Sequence, residues 1–423
     1  MTNQAIQKLP WSSSTLLAVC SLCILLTGCG TLSHRERDTD NAQTKQYADA
    51  SNLQMEVDSL ALPLIKQGET PGMIVGVLLP NGSMKFFGYG VTDQNTNQKP
   101  DADTLFAVGS LSKGFLGNLT AVLVDEGVLS WNDTLGDLLP SNAPLSSDAK
   151  KITVLQLATH TSGLPLQPLT FQTFRYFVEY LFTGENFYRH FDTNYVFNYL
   201  SDFKAPAQVN PQYSNVGYGL LGYVIQRRTG QSLDTLLEQK LLRPLDLKNT
   251  GYVPDDLPNH ANRAYGHVGD QPKFKLRGAR MPDWQFSDLM KGSAGVYSNA
   301  KDLLTLAAAH LHAEKSHLNH TLADTLQVRY ARPIDAHAIA WFADDVEDQH
   351  ITYQVGMVSG FSSYLGLDVE RNMAVVVLQN SFNWTDHVGQ KLLLRMARAP
   401  FVTQPTQATL RQATPQQTAL LHQ

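Results

Sequence analysis

Strand-like runs sit at the two ends of this chain and almost nowhere between, and that distribution narrows the folds open to it more than any other feature. Near the start, MIVGVLLPNGSMKFFGYG (73–90) is two apolar runs broken at Pro80-Asn81-Gly82-Ser83, the signature of a hairpin. Near the end, HITYQVG, SSYLGLDVE and MAVVVLQNS read as three strands separated by turns. Helical periodicities lie between: GFLGNLTAVLVDEGVLS, stopping at Gly127; NVGYGLLGYVIQRRTG, with Ser or Asn at its start and Gly230 after its end; and SNAKDLLTLAAAHLHAE. The segment KLLLRMAR predicts a closing helix. This order suits an α/β class, α+β in detail: one sheet built from both termini, flanked by helices, with a mostly helical region inserted. The cleft between the parts is the natural place for a site. At 423 residues and 43% hydrophobic, the chain can bury a core of that size.

The first fifty residues differ. Residues 16–26 are an apolar stretch of signal-peptide length, too short for an ordinary membrane-spanning helix, with only Lys8 ahead as a basic side chain. All three cysteines fall here, at Cys20, Cys23 and Cys29. The end of the stretch, Leu26-Thr27-Gly28-Cys29, resembles a bacterial lipobox. That resemblance implies cleavage before Cys29 and a lipid on its sulfur; a plain signal peptide or an uncleaved anchor reads the same residues. With Cys29 capped, thiol nucleophiles and Cys-based metal sites are excluded. Gly30, where inner-membrane retention would have Asp, favours the outer membrane by the same resemblance. The expected organisation is a signal peptide over 1–28, a polar tether over 29–52, a folded domain over 53–400 and a Gln/Thr-rich, disordered tail over 401–423.

Ser-x-x-Lys occurs four times, so context must choose. Ser147/Lys150 lies in a polar loop, Ser201/Lys204 precedes a proline that ends regular structure, and Ser298/Lys301 opens a helix where capping explains the serine. Ser110 instead follows Gly109 at the start of a long apolar helix. Spacing of three puts Ser110 and Lys113 on one helix face, and helix-start amides favour developing negative charge. A lysine desolvated there could accept the serine proton. Ser-x-x-Lys with two further motifs is the signature of penicillin-interacting enzymes, and in the class C branch the second motif is Tyr-x-Asn. It occurs at Tyr213-Ser214-Asn215, a loop-to-helix corner from which a phenol could relay a proton, and at Tyr297-Ser298-Asn299, where capping suffices.

Together with TPGMIVGVL, ITVLQLATHTSGLP, GSAGVYSNAKDLL and GFSSYLGLDVERNMAVVVLQNS, in order over residues 53–400, these stretches make the chain similar to the serine β-lactamase-related family of class C β-lactamases, DD-peptidases and esterases. The resemblance implies that Ser110 is acylated, that Lys113 and Tyr213 share the acid and base work, and that Asn215 holds the substrate amide or the Lys113 ammonium. The third motif departs from the family's Lys-Thr-Gly or His-Ser-Gly, reading Gln354-Val355-Gly356. Gly356 still permits close approach, and the amides of Ser110 and Met357 are the expected oxyanion donors. Gln354 is expected to hydrogen-bond substrate but cannot pair with a carboxylate as a cation does. An ester, an amide without a free carboxylate or an internal peptide cross-link therefore fits better than a β-lactam, and an esterase or a peptidoglycan DD-carboxypeptidase or endopeptidase is expected ahead of a β-lactamase. The rivals are a class C-like β-lactamase and a cell-wall-binding lipoprotein without turnover.

Other signals carry less. Gly217-Tyr218-Gly219-Leu220-Leu221-Gly222 matches a dinucleotide fingerprint, but no strand precedes it, so the glycines read as close helix packing. His310, His312, His317 and His320 lack partners at metal-ligand spacing and read as a helix end and loop. No metal or organic cofactor is implied, and nothing in a chain of net charge −5 reads as a nucleic-acid surface. Residues 171–203 hold thirteen Phe or Tyr, which suit helix packing, a wall over the cleft, or contact with the membrane to which Cys29 would tether the domain. Oligomeric state is left open.

Overall fold

A computed structural model describes residues 50–398 apart from 209, 332–335, 347–348 and 384–387. Cys20, Cys23, Cys29, the lipobox, most of the tether and the tail thus lie outside the described residues. The main sheet is antiparallel with seven strands in the order β2-β1-β9-β8-β7-β6-β5. They are β1 (Gly72–Leu78), β2 (Met84–Gly90), β5 (Ala336–His337), β6 (Phe342–Val346), β7 (Gln349–Val358), β8 (Phe361–Asp368) and β9 (Met373–Gln379). The N-terminal hairpin joins the C-terminal strands through β1 and β9, from Met73 opposite Gln379 to Leu78 opposite Ala374. The sheet is therefore built from both ends of the domain, as the strand distribution predicts.

Alternation along β9 explains why its sequence is apolar throughout. Met373, Val375 and Val377 point into a core with Leu53, Val57 and Ala61 of helix α1 (Ala50–Lys66) and Leu392 and Leu393 near the C-terminus. Ala374, Val376 and Leu378 point into the larger core on the opposite face. A strand covered on both faces needs no polar side, and each fully buried valine contributes roughly 1.5–3 kcal/mol. Helices α2 (Ser112–Asp125) and α5 (Ala300–Leu311) cover that second face. Helices α3 (Phe171–Thr183) and α4 (Asn215–Thr229) belong to the inserted region, and α6 (Val388–Ala397) closes the first face.

Helix α1 runs through the expected start near Leu53, and Leu53, Val57 and Ala61, at four-residue spacing, pack it on the sheet. Two expectations need correction. Strands β5 and β6 extend the sheet beyond the three C-terminal strands expected; the Asp344-Asp345 pair inside FADDV hides β6 from a hydrophobicity pattern. A separate two-stranded ladder also pairs β3 (Phe106–Ala107) with β4 (Tyr297–Ser298). It fixes the approach to Ser110, with Val108 N–H donating to Val296 O at 3.0 Å. The glycine-rich start of α4 serves packing: a Cβ on Gly219 would lie 2.9 Å from Leu289 O, and one on Gly222 2.9 Å from Leu233 Cδ1.

Candidate active site

Ser110 occupies a 3₁₀ turn, Gly109–Leu111, that runs into α2. Two glycines make the turn possible. Gly109 has φ +54°, a region L side chains avoid, and a Cβ there would stand 2.7 Å from Met357 N. Gly356 on β7 faces it, where a Cβ would meet Val108 O at 2.1 Å and Ser110 N at 2.9 Å. Backbone therefore lies against backbone at this point. Side-chain hydroxyls brace the turn: Ser112 Oγ donates to Gly109 O (2.6 Å) and accepts from Val296 N–H (2.9 Å), and Ser363 Oγ donates to Val108 O (2.8 Å).

The β7–β8 connection aims the facing amide. Val358 and Phe361 close a two-residue turn whose central residues, Ser359 and Gly360, have φ +37° and +76°. That is the hairpin geometry in which the closing pair exchanges both hydrogen bonds. Alternation then turns Gly356 toward β8 and the Met357 N–H away from it, toward the Ser110 turn. The Ser110 and Met357 backbones thus lie side by side, the positions at which the family resemblance expects oxyanion donors.

Lys113 is fully buried. Its Nζ lies 3.0 Å from Ser110 Oγ, 2.8 Å from Asn215 Oδ1 and 2.7 Å from Ser293 O. The last two atoms can only accept, so two N–H bonds are committed to them. The third direction faces Ser110, whose hydroxyl can donate or accept; this is the contact along which a proton can pass. Asn215 is held by its neighbours. Ser214 is extended and caps α4, accepting from Gly217 N–H at 2.9 Å and donating to Pro165 O at 2.7 Å. Asn215 Nδ2 donates to Tyr188 Oη at 2.7 Å, and Tyr188 donates to buried Gln167 at 2.9 Å.

Tyr213 stands one residue before that cap, at the corner the sequence indicates. Its ring lies between His160, at 4.5 Å, and Phe342, at 5.8 Å, and Lys113 Nζ is 4.8 Å from its centre. The phenol oxygen is buried. His160 has φ +59° and accepts the Ser214 N–H on Nδ1 at 3.1 Å, so its proton sits on Nε2. Burial, then His337 and Lys113, hold its pKa well below the usual histidine range, so the ring is neutral at pH 7.

Gln354 requires a correction. Expected to meet substrate, it is fully buried and turned into the protein: Nε2 donates to Ala340 O at 2.6 Å and Oε1 accepts Val355 N–H at 2.9 Å. It repairs a stretch of β7 that β6 no longer pairs, since β6 and β7 are in register only up to Tyr353 opposite Phe342. The other Ser-x-x-Lys pairs build nothing comparable: Ser147 and Lys150 are exposed, Ser201 bonds Asn198 O, and Ser298 pairs with Thr250. Of the four clustered histidines, His310 is buried and His317 meets Asp125. Sequence reading missed Tyr188, Gln167, His160 and Ser293. His160 sits in the quoted stretch THTSGLP, whereas Ser293 acts through its carbonyl, which no residue identity reveals.

A profile of the beta-lactamase family matches residues 57–398. Among curated proteins, a beta-lactamase of Providencia stuartii is 29% identical over 62% of this chain and 61% of its own length. A beta-lactamase of Pseudomonas fluorescens is 25% identical over 78% of this chain and 94% of its own. Protein flp of Staphylococcus aureus is 26% identical over 78% and 64%. The chain thus spans less than two thirds of two of these three relatives. Two solved structures share the fold. A class C beta lactamase from Rhodobacter sphaeroides has a TM-score of 0.67 at 24% identity, covering 81% of this chain and 99% of that one. D-alanine carboxypeptidase AmpC from Burkholderia cenocepacia has 0.66 at 22%, covering 82% and 99%.

Proposed function

The chain belongs to the beta-lactamase family, and from that premise we propose that it is a serine hydrolase working through an acyl-enzyme at Ser110. The observation that carries this reading is the set of three acceptors around buried Lys113, two of them obligate, which leaves one direction for exchanging a proton with Ser110. As a neutral amine, Lys113 donates to Asn215 and Ser293 and takes the Ser110 proton while Oγ bonds to the substrate carbonyl carbon. The carbonyl electron pair moves to its oxygen, met by the Ser110 and Met357 amides. Collapse expels the alcohol or amine, which receives the proton from Lys113, directly or through Tyr213. Water then repeats the sequence on the ester, releases the acid and restores Ser110.

The strand side supports an ester, or an amide or peptidoglycan-derived peptide without a free carboxylate, as substrate. Gln354 is spent on the backbone and supplies no charge. Lipid attachment at Cys29, with the domain facing the periplasm from the outer membrane, is part of the same proposal; it rests on Leu26-Thr27-Gly28-Cys29-Gly30.

The experiment is intact mass after incubation with a penicillin and, separately, an activated short-chain ester, with Ser110→Ala alongside. Ester turnover that requires Ser110, with no lasting penicillin adduct, is the expected result. A stable penicillin adduct supports a DD-peptidase-type site, and rapid penicillin hydrolysis a class C-like one. Neither adduct nor turnover would leave the binding lipoprotein.

A further inference from the structure

Helix α3 wears aromatic groups on both faces. Thr173, Phe177 and Tyr180 are buried against the protein. On the opposite side Phe171 is 70% exposed, Phe174 39% and Phe182 60%. At 100° per residue, Phe171, Phe174, Arg175, Val178 and Phe182 fall within one stripe about 100° wide, roughly 16 Å long. The loop 273–277 extends it. Phe274, 62% exposed, stacks on Phe182 with centroids 4.7 Å apart, and Leu276 is 83% exposed. This loop is fastened, with Phe274 N–H on Leu181 O and Lys275 Nζ on Thr183 O, each at 3.2 Å.

Five large apolar side chains in one exposed ridge are more than isolated surface hydrophobics. The charge around them is uneven. Arg175, Lys273 and Lys275 have no carboxylate partner among the described residues, whereas the acidic neighbours are already engaged: Glu179 and Glu185 with Arg189, Glu69 and Asp270 with Arg277. A chain of net charge −5 thus presents unpaired cations beside its exposed aromatics. Cations flanking Phe and Leu suit the headgroup region of an anionic bilayer, which takes apolar groups between its acyl chains and attracts bases with its phosphates. The 21 residues from Cys29 to Ala50 span at most about 70 Å, enough for a domain tethered at Cys29 to lay any face on its own membrane.

We infer that the stripe of α3 with the 273–277 loop is a membrane-docking face that lays the domain on an anionic phospholipid surface. The inference rests on the anchoring reading for its tether and carries its own test. The full chain, lipid-modified and detergent-extracted, is placed in vesicles of phosphatidylcholine alone or with about a third phosphatidylglycerol, and amide hydrogen exchange is followed. Segments 171–183 and 273–277 are expected to exchange severalfold more slowly on the anionic vesicles than in detergent, with added salt reversing much of the difference. Arg175→Glu/Lys273→Glu/Lys275→Glu loses that protection while exchange in 112–125 and ester turnover stay unchanged. A Phe171→Ser/Phe174→Ser/Phe182→Ser/Phe274→Ser chain loses it on both vesicles. Equal exchange on vesicles and in detergent, with the protein still vesicle-bound, overturns the docking face. So does protection already present in solution, whether it scales with protein concentration, marking a second copy, or disappears on deleting 401–423, marking the chain's own tail. A mass without lipid on Cys29 sinks the anchor alone. The face is then read from flotation of the unlipidated chain on anionic vesicles, where equal flotation of the charge-reversed variant overturns it.

Discussion

The two walls of the cleft work by different means. The helix wall places side chains: Ser110, Lys113 and Asn215 form an unbroken series of contacts that continues through Tyr188 to Gln167. The strand wall places backbone: Gly356 lets the chain approach, Met357 offers an amide, and Gln354 looks inward. The walls also rest on different supports. Behind the helix wall lie buried polar groups, with His310 Nε2 3.2 Å from Asn118 Oδ1 and Thr325 bonded to the same oxygen. Behind the strand wall Tyr353, Val355 and Tyr364 pack in an apolar core. A wall built of side chains can be disarmed one atom at a time, whereas a wall built of backbone fails only when its geometry is obstructed.

Substitution should expose that contrast. Ser110→Ala is expected to lower kcat/KM on an activated ester by a thousandfold or more, on the order of what removing a serine nucleophile costs elsewhere, with an unfolding midpoint close to the parent's. Turnover surviving at a tenth or more of the parent rate would remove Ser110 from the chemistry. On the strand wall the comparable loss needs a methyl group. Gly356→Ala puts a Cβ 2.1 Å from Val108 O, and should abolish acylation while costing about 2–4 kcal/mol in urea unfolding. Full activity in that variant would show that β7 can retreat and that its proximity to Ser110 is not needed.

Acid should loosen the helix wall before the strand wall. Burial lowers the His310 pKa to about 4 from 6.5. Between those values the unfolded chain binds a proton that the folded one refuses, so stability falls as pH drops through 6.5 and this loss is complete near 4. The interval corresponds to about 3 kcal/mol, and unfolding at pH 7.5 and 4.5 should show a smaller difference in His310→Gln. Gln354→Leu should cost roughly 1–3 kcal/mol of stability, since Ala340 O and Val355 N–H lose their partner, yet change KM little. A large KM effect at normal stability would return Gln354 to the substrate. Smallest is Tyr188→Phe, which deprives Asn215 Nδ2 of its acceptor and should lower kcat about tenfold, near 1.4 kcal/mol.

Sequence made the helix wall legible because its parts are side chains with distinctive spacing. Ser110 and Lys113 stand out by the glycine before them and the apolar helix after, and Asn215 by the Tyr-x-Asn pattern at a loop-to-helix corner. The hairpin at 80–83, the buried run of β9 and the end of α4 at Gly230 follow from periodicity and turn chemistry and stand where expected. The strand wall was less legible. Gly356 and Met357 could be placed, but whether residue 354 faces substrate or protein depends on where β6 stops pairing, a tertiary fact. The Ser293 carbonyl and the Tyr188 hydroxyl come from segments 180 and 75 residues from Lys113 in the chain, and no local pattern brings them in.

The pairing of β1 with β9 has a consequence in time. Synthesis delivers residues 72–90 and the Ser110 turn early, but β1 has one neighbour until residues 373–379 arrive, about 300 positions later. Contacts of such separation form slowly, and an apolar strand waiting for its partner is exposed to aggregation. Met357 and Gly356 also belong to that late portion. Ser110 is therefore made hundreds of residues before Met357, whose amide is the proposed oxyanion donor, and a chain interrupted anywhere in between carries Ser110 without strand β7 beside it.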